Sequence, residues 1–360
     1  MSDARFWLGF NLVPGVGPVK VARLLERFGD LGVAWSASSQ ELTRAGLDAR
    51  AIEAIVSRRA SIDLDRELAR VERVGAHLLT LDDRTYPERL RQIYAPPPLL
   101  YVWGEVLPQD DLSVAVVGTR RATTYGRQAA ERIVTGLSRS GVTVVSGMAR
   151  GIDSFAHRAA LDAGGRTLAV LGCGVDFVYP PENAKLARSI VEHGALISEY
   201  PMSSPPEQGN FPARNRLISG LARGTLIVEA DVKSGALITA NFAAEQNRDV
   251  LAVPGSILSR QSEGTNRLIQ SGAKLTTCAE DILEELNLVA AERQIEMREL
   301  LPADETEAAL LKHLSSDPQH VDDIARATGM PIATVTSTLT MMELKGLVRQ
   351  MGGMNYVTAV

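Results

Sequence analysis

Three segments that place arginine or lysine at the start of a helical pattern hold the residues best suited to gripping an anion. In Val117-Gly118-Thr119-Arg120-Arg121 an apolar run ends at a glycine and two guanidinium groups follow, with no Asp or Glu between Leu112 and Ala130. A loop at the carboxyl end of a buried parallel strand offers backbone amides and a helix start, and both favour negative charge. Arg120 would add a planar, permanently charged fork for a phosphate; its alternative role is an internal ion pair at the strand end. The second loop, Asn210-Phe211-Pro212-Ala213-Arg214-Asn215-Arg216, lies in a stretch, 208–228, with three arginines and no carboxylate. Phe211 beside Arg214, Asn215 and Arg216 supplies a stacking face next to cations, the ingredients of a groove for a single polynucleotide strand. A helix start that satisfies itself would use the same residues. The third loop, Asp231-Val232-Lys233-Ser234-Gly235, again leads from an apolar run into a helical pattern. Ser234 is by default a helix cap there, and otherwise a phosphate ligand, because both roles use the same hydroxyl geometry. Pro254-Gly255-Ser256 and Ser262-Glu263-Gly264-Thr265-Asn266-Arg267 repeat the theme, so Asn266 and Arg267 join the candidates.

Two further segments could carry chemistry. Pro14-Gly15-Val16-Gly17-Pro18-Val19-Lys20 turns sharply into a helix and resembles a helix-hairpin-helix element, whose first amides contact a DNA backbone without reading sequence. Gly15, Gly17 and Lys20 would make those contacts, unless the turn is only a corner between helices. Asp153 and His157 stand four residues apart on one helical face, so they could form an acid–base pair, although a structural role is the stronger reading. No Walker lysine loop, G-x-S-x-G elbow or H-E-x-x-H pair is present, so no catalytic constellation is complete. The G-x-G-x-x-G dinucleotide fingerprint is also missing from the first loop, and we expect no cofactor and no resident metal.

The elements that must position these loops are visible in the chain's texture. Short apolar, β-branched runs at 113–117, 142–145, 167–171, 195–198, 225–228 and 250–253 alternate with helical stretches. A strand apolar on both faces is buried on both faces, which predicts a parallel sheet between two helix layers. Residues 77–81 and 99–103, flanking Pro96-Pro97-Pro98, are expected to extend that sheet at one edge. The fold class is therefore α/β, an extended, Rossmann-type doubly wound sheet over 76–288. Residues 1–75 read as a small helical domain of helix-hairpin-helix or SAM-like character, with Val21, Leu24, Leu25 and Phe28 on one face. A charged stretch at 289–302 reads as a linker.

Residues 303–360 have the outline of a winged helix: helix 321–327, a turn at Thr328-Gly329-Met330, helix 332–345 and a hairpin at Gly352-Gly353. This segment carries seven acidic residues against four Lys plus Arg, and none of its basic residues falls in 332–344. A DNA reader depends on neutralising phosphate, so we expect a protein partner or a regulatory role for this domain.

Composition bounds the whole. The 360 residues are 45% hydrophobic and 22% charged, enough apolar surface for folded domains. The formal net charge of -5 means that any nucleic-acid contact must come from local clusters of cations. Two cysteines, no secretory-type leader and no long uncharged apolar run favour a cytoplasmic protein without a membrane partner.

Seven ordered motifs over about 140 residues resemble the DprA/Smf DNA-processing proteins. They are Val117-Gly118-Thr119-Arg120; Ser146-Gly147-Met148-Ala149-Arg150-Gly151-Ile152-Asp153 with His157; Leu171-Gly172-Cys173-Gly174-Val175-Asp176 through Tyr179-Pro180; Ser198-Glu199-Tyr200-Pro201; Phe211-Pro212-Ala213-Arg214-Asn215-Arg216; Ser234-Gly235 through Thr239-Ala240; and Val253-Pro254-Gly255. Thr119 stands where many members have Ser. The resemblance implies a homodimer that binds and protects single-stranded DNA and loads the RecA recombinase in natural transformation and homologous recombination, with no catalytic turnover. Gly118 and Arg120 would hold phosphate, and Phe211, Arg214, Asn215 and Arg216 would line the strand pocket. The alternative is a nucleotide-processing enzyme of the phosphoribohydrolase type. Those enzymes carry a Pro-Gly-Gly-x-Gly-Thr loop, where this chain reads Pro254-Gly255-Ser256-Ile257.

Overall fold

The computed structural model describes residues 3–287, 305–315, 318–344 and 348–358. The chain divides into two compact units, Met1–Leu286 and Asn287–Val360. The expected linker at 289–302 lies outside the described residues.

The first unit opens with six helices: α1 (Ala4–Asn11), α2 (Pro18–Phe28), α3 (Leu31–Ser36), α4 (Ser39–Arg44), α5 (Ala49–Arg59) and α6 (Leu64–Arg73). Five of the six starts are set by short polar side chains that accept otherwise unpaired amides: Asp3 for α1, Asp30 for α3, Ser38 with Glu41 as a capping box for α4, Asp48 for α5 and Asp63 for α6. Of the expected stripe on α2, Val21 and Leu24 are buried, with Leu25 and Phe28 packed at the margin of the same core. That core does not stop at residue 75. Trp7, Phe10, Leu24 and Ile55 belong to one apolar cluster with Leu99, Tyr101, Ala169 and Leu196 of the sheet. Asn11 adds a polar tie, donating to the Glu199 carbonyl at 3.2 Å and accepting the Tyr101 hydroxyl at 2.9 Å.

The α/β part follows as β1 (Ala76–Thr80), α7 (Glu88–Arg91), β2 (Leu99–Gly104), β3 (Ser113–Val117), α8 (Thr124–Arg139), β4 (Thr143–Ser146), α9 (Ile152–Asp162) and β5 (Thr167–Val170). It continues with α10 (Ala184–His193), β6 (Gly194–Ser198), α11 (Asn210–Leu221), β7 (Gly224–Ile227), α12 (Ala236–Glu245), β8 (Asp249–Ala252), α13 (Glu263–Gln270), β9 (Lys274–Leu275) and α14 (Ala279–Glu285). The strands form one nine-stranded sheet in the order β1-β2-β6-β5-β4-β3-β7-β8-β9. Every pairing from β6 to β9 is parallel, while β1 and β2 extend the sheet antiparallel beyond β6. Helices α8, α9, α10 and α14 pack together as one layer, and α7, α11 and α12 pack together in another. The sheet is the extended, doubly wound α/β architecture that the apolar runs imply. The short β9 has no counterpart among those runs, because its two residues, Lys274 and Leu275, are both exposed.

The second unit contains α15 (Glu305–His313), β10 (Gln319–His320), α16 (Val321–Thr328), α17 (Ile332–Leu344), β11 (Val348–Gln350) and β12 (Asn355–Thr358). Gly329, at φ 69°, ends α16 and starts the turn into α17, and Gly352 and Gly353 shape the β11–β12 hairpin. Leu310, Ile324, Val335, Leu339, Met342 and Tyr356 close a core of their own. This is a winged helix. No helix among the described residues is long and apolar enough to cross a membrane.

Gly194 marks the tightest point of the sheet. It pairs with Thr167 of β5, and a Cβ there would lie 1.9 Å from the Thr167 carbonyl oxygen. Gly194→Ala is therefore expected to cost about 3 kcal/mol, because two hydrogen-bonded backbones would have to separate. Guanidinium unfolding followed by circular dichroism measures this; a loss below about 1 kcal/mol would show that the strands can part freely.

Candidate nucleic-acid interface

Strand order reverses at β3: the chain runs β3 to β6 toward one edge and then returns to place β7 on the other side of β3. In open α/β sheets the loops diverge at such a point and leave a crevice beyond the strands' carboxyl ends. Here the Val228 amide donates to the Val117 carbonyl at 3.1 Å, and the Thr119 amide donates to the Glu229 carbonyl at 2.7 Å, so the two loops separate only beyond those residues. Gly151, at φ 77°, brings the start of α9 against the first loop, and a Cβ on it would lie 2.2 Å from the Thr119 oxygen.

A cavity of about 810 Å³ opens at this edge. Gly118, Thr119, Arg120, Arg121, Phe211, Arg214, Asn215, Lys233, Ser234 and Gly235 all line it. Arg120 is exposed, with its guanidinium carbon 5.5 Å from the centre of the Phe211 ring, an attractive cation–π separation. Tyr179 meets Phe211 with ring centres 5.5 Å apart and planes inclined by 37°. Among the described residues Arg120, Arg121 and Lys233 form no ion pair, so Arg120 is not consumed at the strand end. The Ser234 hydroxyl accepts the Ala236 amide at 3.3 Å in a local turn before α12, whose N-cap is Gly235, without a side-chain cap.

Arg214 differs from these cations. It is 3% exposed and donates through one terminal nitrogen to the Gly147 carbonyl at 2.9 Å and to the Val170 carbonyl, while its Nε has no partner. Burial lowers its pKa and raises that of Asp153, each charge partly offsetting the penalty on the other. Asp153 accepts the amides of Gly147 and Ala149 at 3.2 and 3.3 Å. This buried pair forms part of the cavity's lining beneath the loops.

Three residues read as neighbours of the site in the sequence are not brought to it. Arg216 pairs with Glu199 and donates to the Ala95 carbonyl at 3.2 Å. Two residues apart on α11, Arg214 and Arg216 point in different directions and cannot line one surface. Asn266 closes on the Gly255 peptide, accepting its amide at 3.1 Å and donating to its carbonyl at 3.0 Å. Arg267 is tied to Glu263 one helical turn away, at 2.7 Å. Gly15, Gly17 and Lys20 also lie outside the cavity. Gly17 starts α2, and the Lys20 ammonium donates to the Gly15 carbonyl at 2.9 Å and pairs with Asp48 at 2.7 Å.

Tyr179, though part of one quoted motif, and Glu229 were not among the residues the sequence assigned to the site. Tyr179 sits in a Tyr-Pro loop far from Phe211 in sequence, whereas Glu229 immediately follows the apolar run 225–228, the position at which a strand delivers a side chain to the crevice.

The Asp153–His157 pair does not work as an acid–base couple. The Thr167 hydroxyl donates to the Val144 carbonyl at 2.7 Å, so it must accept from His157 Nδ1, 2.6 Å away. His157 Nε2 has no partner, and the ring is fully buried.

The family described as DNA recombination-mediator protein A matches residues 77–287, and the DprA winged helix domain matches residues 296–354. The chain belongs to the DNA recombination-mediator protein A family. Its relatives in that family include Protein Smf of Escherichia coli, 38% identical over 98% of this chain and 95% of that protein. Protein Smf of Synechocystis is 36% identical over 99% of this chain and 98% of that protein. Among solved structures, DNA processing protein A from Streptococcus pneumoniae matches with a TM-score of 0.71 at 35% identity, covering 79% of this chain and 99% of that one. DNA processing protein A from Helicobacter pylori, described for its single-stranded DNA binding mode, matches with a TM-score of 0.53 at 32% identity, covering 60% of this chain and 97% of that one.

His157 generates a pH prediction. Burial lowers its pKa to about 3, from an ordinary value of 6.5. Between those values the unfolded chain holds a proton that the folded chain refuses, so stability is full above pH 6.5 and falls as the pH drops, by about 1 kcal/mol per unit. His157→Gln should make the variant's stability curve shallower than the parent's across that window. Parallel curves from denaturant titrations at several pH values would remove His157 as the source.

Proposed function

We propose that this chain binds single-stranded DNA in the cavity at the carboxyl edge of the sheet and acts by holding the strand, without turnover. The observation that carries the reading is the set of unpaired cations, Arg120, Arg121 and Lys233, beside the Phe211 ring. Cations that track a phosphodiester backbone and an aromatic face on which a base can stack make a sequence-tolerant single-strand site. The family's role in DNA recombination and the strand binding described for the Helicobacter pylori relative support it. The bound strand is then handed to the RecA recombinase in recombination and natural transformation, by a homodimer working in the cytoplasm.

We further propose a division of labour: residues 76–288 hold the strand, 1–75 brace the sheet and 303–360 contact a protein. The exposed side of α17 presents Ile332, Ala333, Thr334, Ser337, Thr340 and Met341, none of them charged, and the hairpin adds Met351 and Met354. The α17 face neutralises no phosphate, and the hairpin adds one exposed cation, Arg349. Gly15, Gly17 and Lys20 are retained as backbone contacts only in the event that DNA extends beyond the cavity.

Arg120→Ala is expected to weaken oligo-dT binding about tenfold, the loss of one charge-assisted contact, and to reduce the slope of log affinity against log salt by about 0.7. Fluorescence anisotropy at several salt concentrations reads both numbers, and an unchanged affinity in a folded protein would remove Arg120 from the site. Deleting residues 303–360 should leave affinity for both single-stranded and duplex DNA within about twofold of the full chain. Loss of duplex binding on deletion would instead assign the winged helix to DNA.

A further inference from the structure

A buried carboxylate stands directly behind the loop that carries the proposed site's arginines. Glu229 follows β7 at the point of strand-order reversal and is 2% exposed. A buried negative charge beside a phosphate site should oppose binding, unless its oxygens are engaged elsewhere. They are engaged, and by one residue. Glu229 Oε2 accepts the Thr123 amide at 2.9 Å, and Oε1 accepts the Thr123 hydroxyl at 2.5 Å. That hydroxyl in turn accepts the Gly126 amide at 3.1 Å and so caps α8. The α8 backbone lies flush against the carboxylate, since a Cβ on Gly126 would fall 2.1 Å from Oε2. Glu229 also accepts the Thr119 amide through its own carbonyl at 2.7 Å.

One residue therefore clamps both ends of the segment 119–123. Between the clamped positions lie Arg120 and Arg121, exposed and without ion pairs among the described residues. We infer that Glu229 is a positioning residue for strand binding: by tying Thr119 and Thr123 it holds the Arg120-Arg121 segment open to the cavity with both guanidinium groups unpaired. Because the Thr123 hydroxyl and amide occupy its oxygens, the carboxylate does not draw either guanidinium inward. The same clamp takes up the Thr123 amide and, through the Thr123 hydroxyl, the Gly126 amide of the first turn of α8.

The inference rests on the proposed site, and the test separates the two. Binding of fluorescein-labelled oligo-dT to the full chain is measured across salt concentrations for Glu229→Gln, Thr123→Val, Arg120→Ala and the Glu229→Gln/Arg120→Ala double variant, with thermal unfolding of each. Glu229→Gln keeps the shape but cannot accept both Thr123 groups, and is expected to weaken binding about five- to tenfold with a shallower salt slope. Added to Arg120→Ala it should cost less than it does in the parent, because only the Arg121 contact is then left for it to misplace. Thr123→Val should weaken binding in the same direction, and carries the test if Glu229→Gln does not fold. Unchanged or tighter binding by folded Glu229→Gln, while Arg120→Ala weakens it, would overturn the inference and leave the site standing; tighter binding would mean that the carboxylate acts only as a counter-charge. Full additivity in the double variant would overturn it as well. An Arg120→Ala protein that binds as tightly as the parent would overturn the site itself, and the inference with it.

Discussion

Where β3 pairs with β7, two parallel strands that leave the sheet toward opposite sides run side by side as far as Thr119 and Glu229 and then part. The crevice exists because right-handed crossovers on either side of this pair carry α8 and α12 to different layers. Everything proposed about the site depends on that parting. A register shift of one residue would turn the strands' side chains to the opposite faces and carry the departing loops with them. The pairing is protected by burial, since each residue of β3 and β7 is buried.

Around this crevice the cations fall into two classes that the linear sequence does not distinguish. Arg120, Arg121 and Lys233 lie at its rim, exposed, and have no carboxylate partner among the described residues. Arg214 and Arg216 carry the same charge but are spent on the fold, one beneath the loops against Gly147 and Val170, the other on Glu199. A buried guanidinium with backbone partners gains little by approaching a phosphate, because it has already exchanged water for protein oxygens. An exposed one gives up weakly held water and releases counterions from the nucleic acid. This is how a chain of net charge -5 can offer a local anion site: the carboxylates at or behind it, Asp153, Asp231 and Glu229, each accept backbone amides, and none pairs with Arg120, Arg121 or Lys233.

The sheet was legible because its strands are apolar on both faces, a pattern that needs no knowledge of tertiary contacts. Runs expected at 113–117, 195–198 and 225–228 lie within one residue of β3, β6 and β7 at each end. The loops were legible for a related reason, since glycine followed by cations after such a run has few structural uses. What failed was orientation within a helix. Arg214 and Arg216 were grouped by proximity, although two residues of α11 rotate a side chain through more than half a turn. Asn266 was misplaced because its short amide can close on a nearby peptide, here Gly255, a local alternative that composition does not reveal. Glu229 was invisible for the opposite reason: its partner Thr123 is more than a hundred positions earlier in the chain, and only the β3–β7 pairing joins them.

The N-terminal helices show the same dependence on contacts distant in sequence. Their texture differs from that of the sheet, which makes residue 75 look like a boundary, yet Trp7 and Phe10 share a core with Leu99 and Tyr101 of β2. Tyr101 is fully buried and its hydroxyl needs a partner, which Asn11 supplies. Asn11 also holds the carbonyl of Glu199, whose carboxylate receives Arg216 of α11. A chain of specific contacts therefore runs from α1 through β2 and the end of β6 to α11, the helix that presents Phe211 to the cavity. Disturbing α1 would be felt at the aromatic face through these contacts, without α1 touching a ligand.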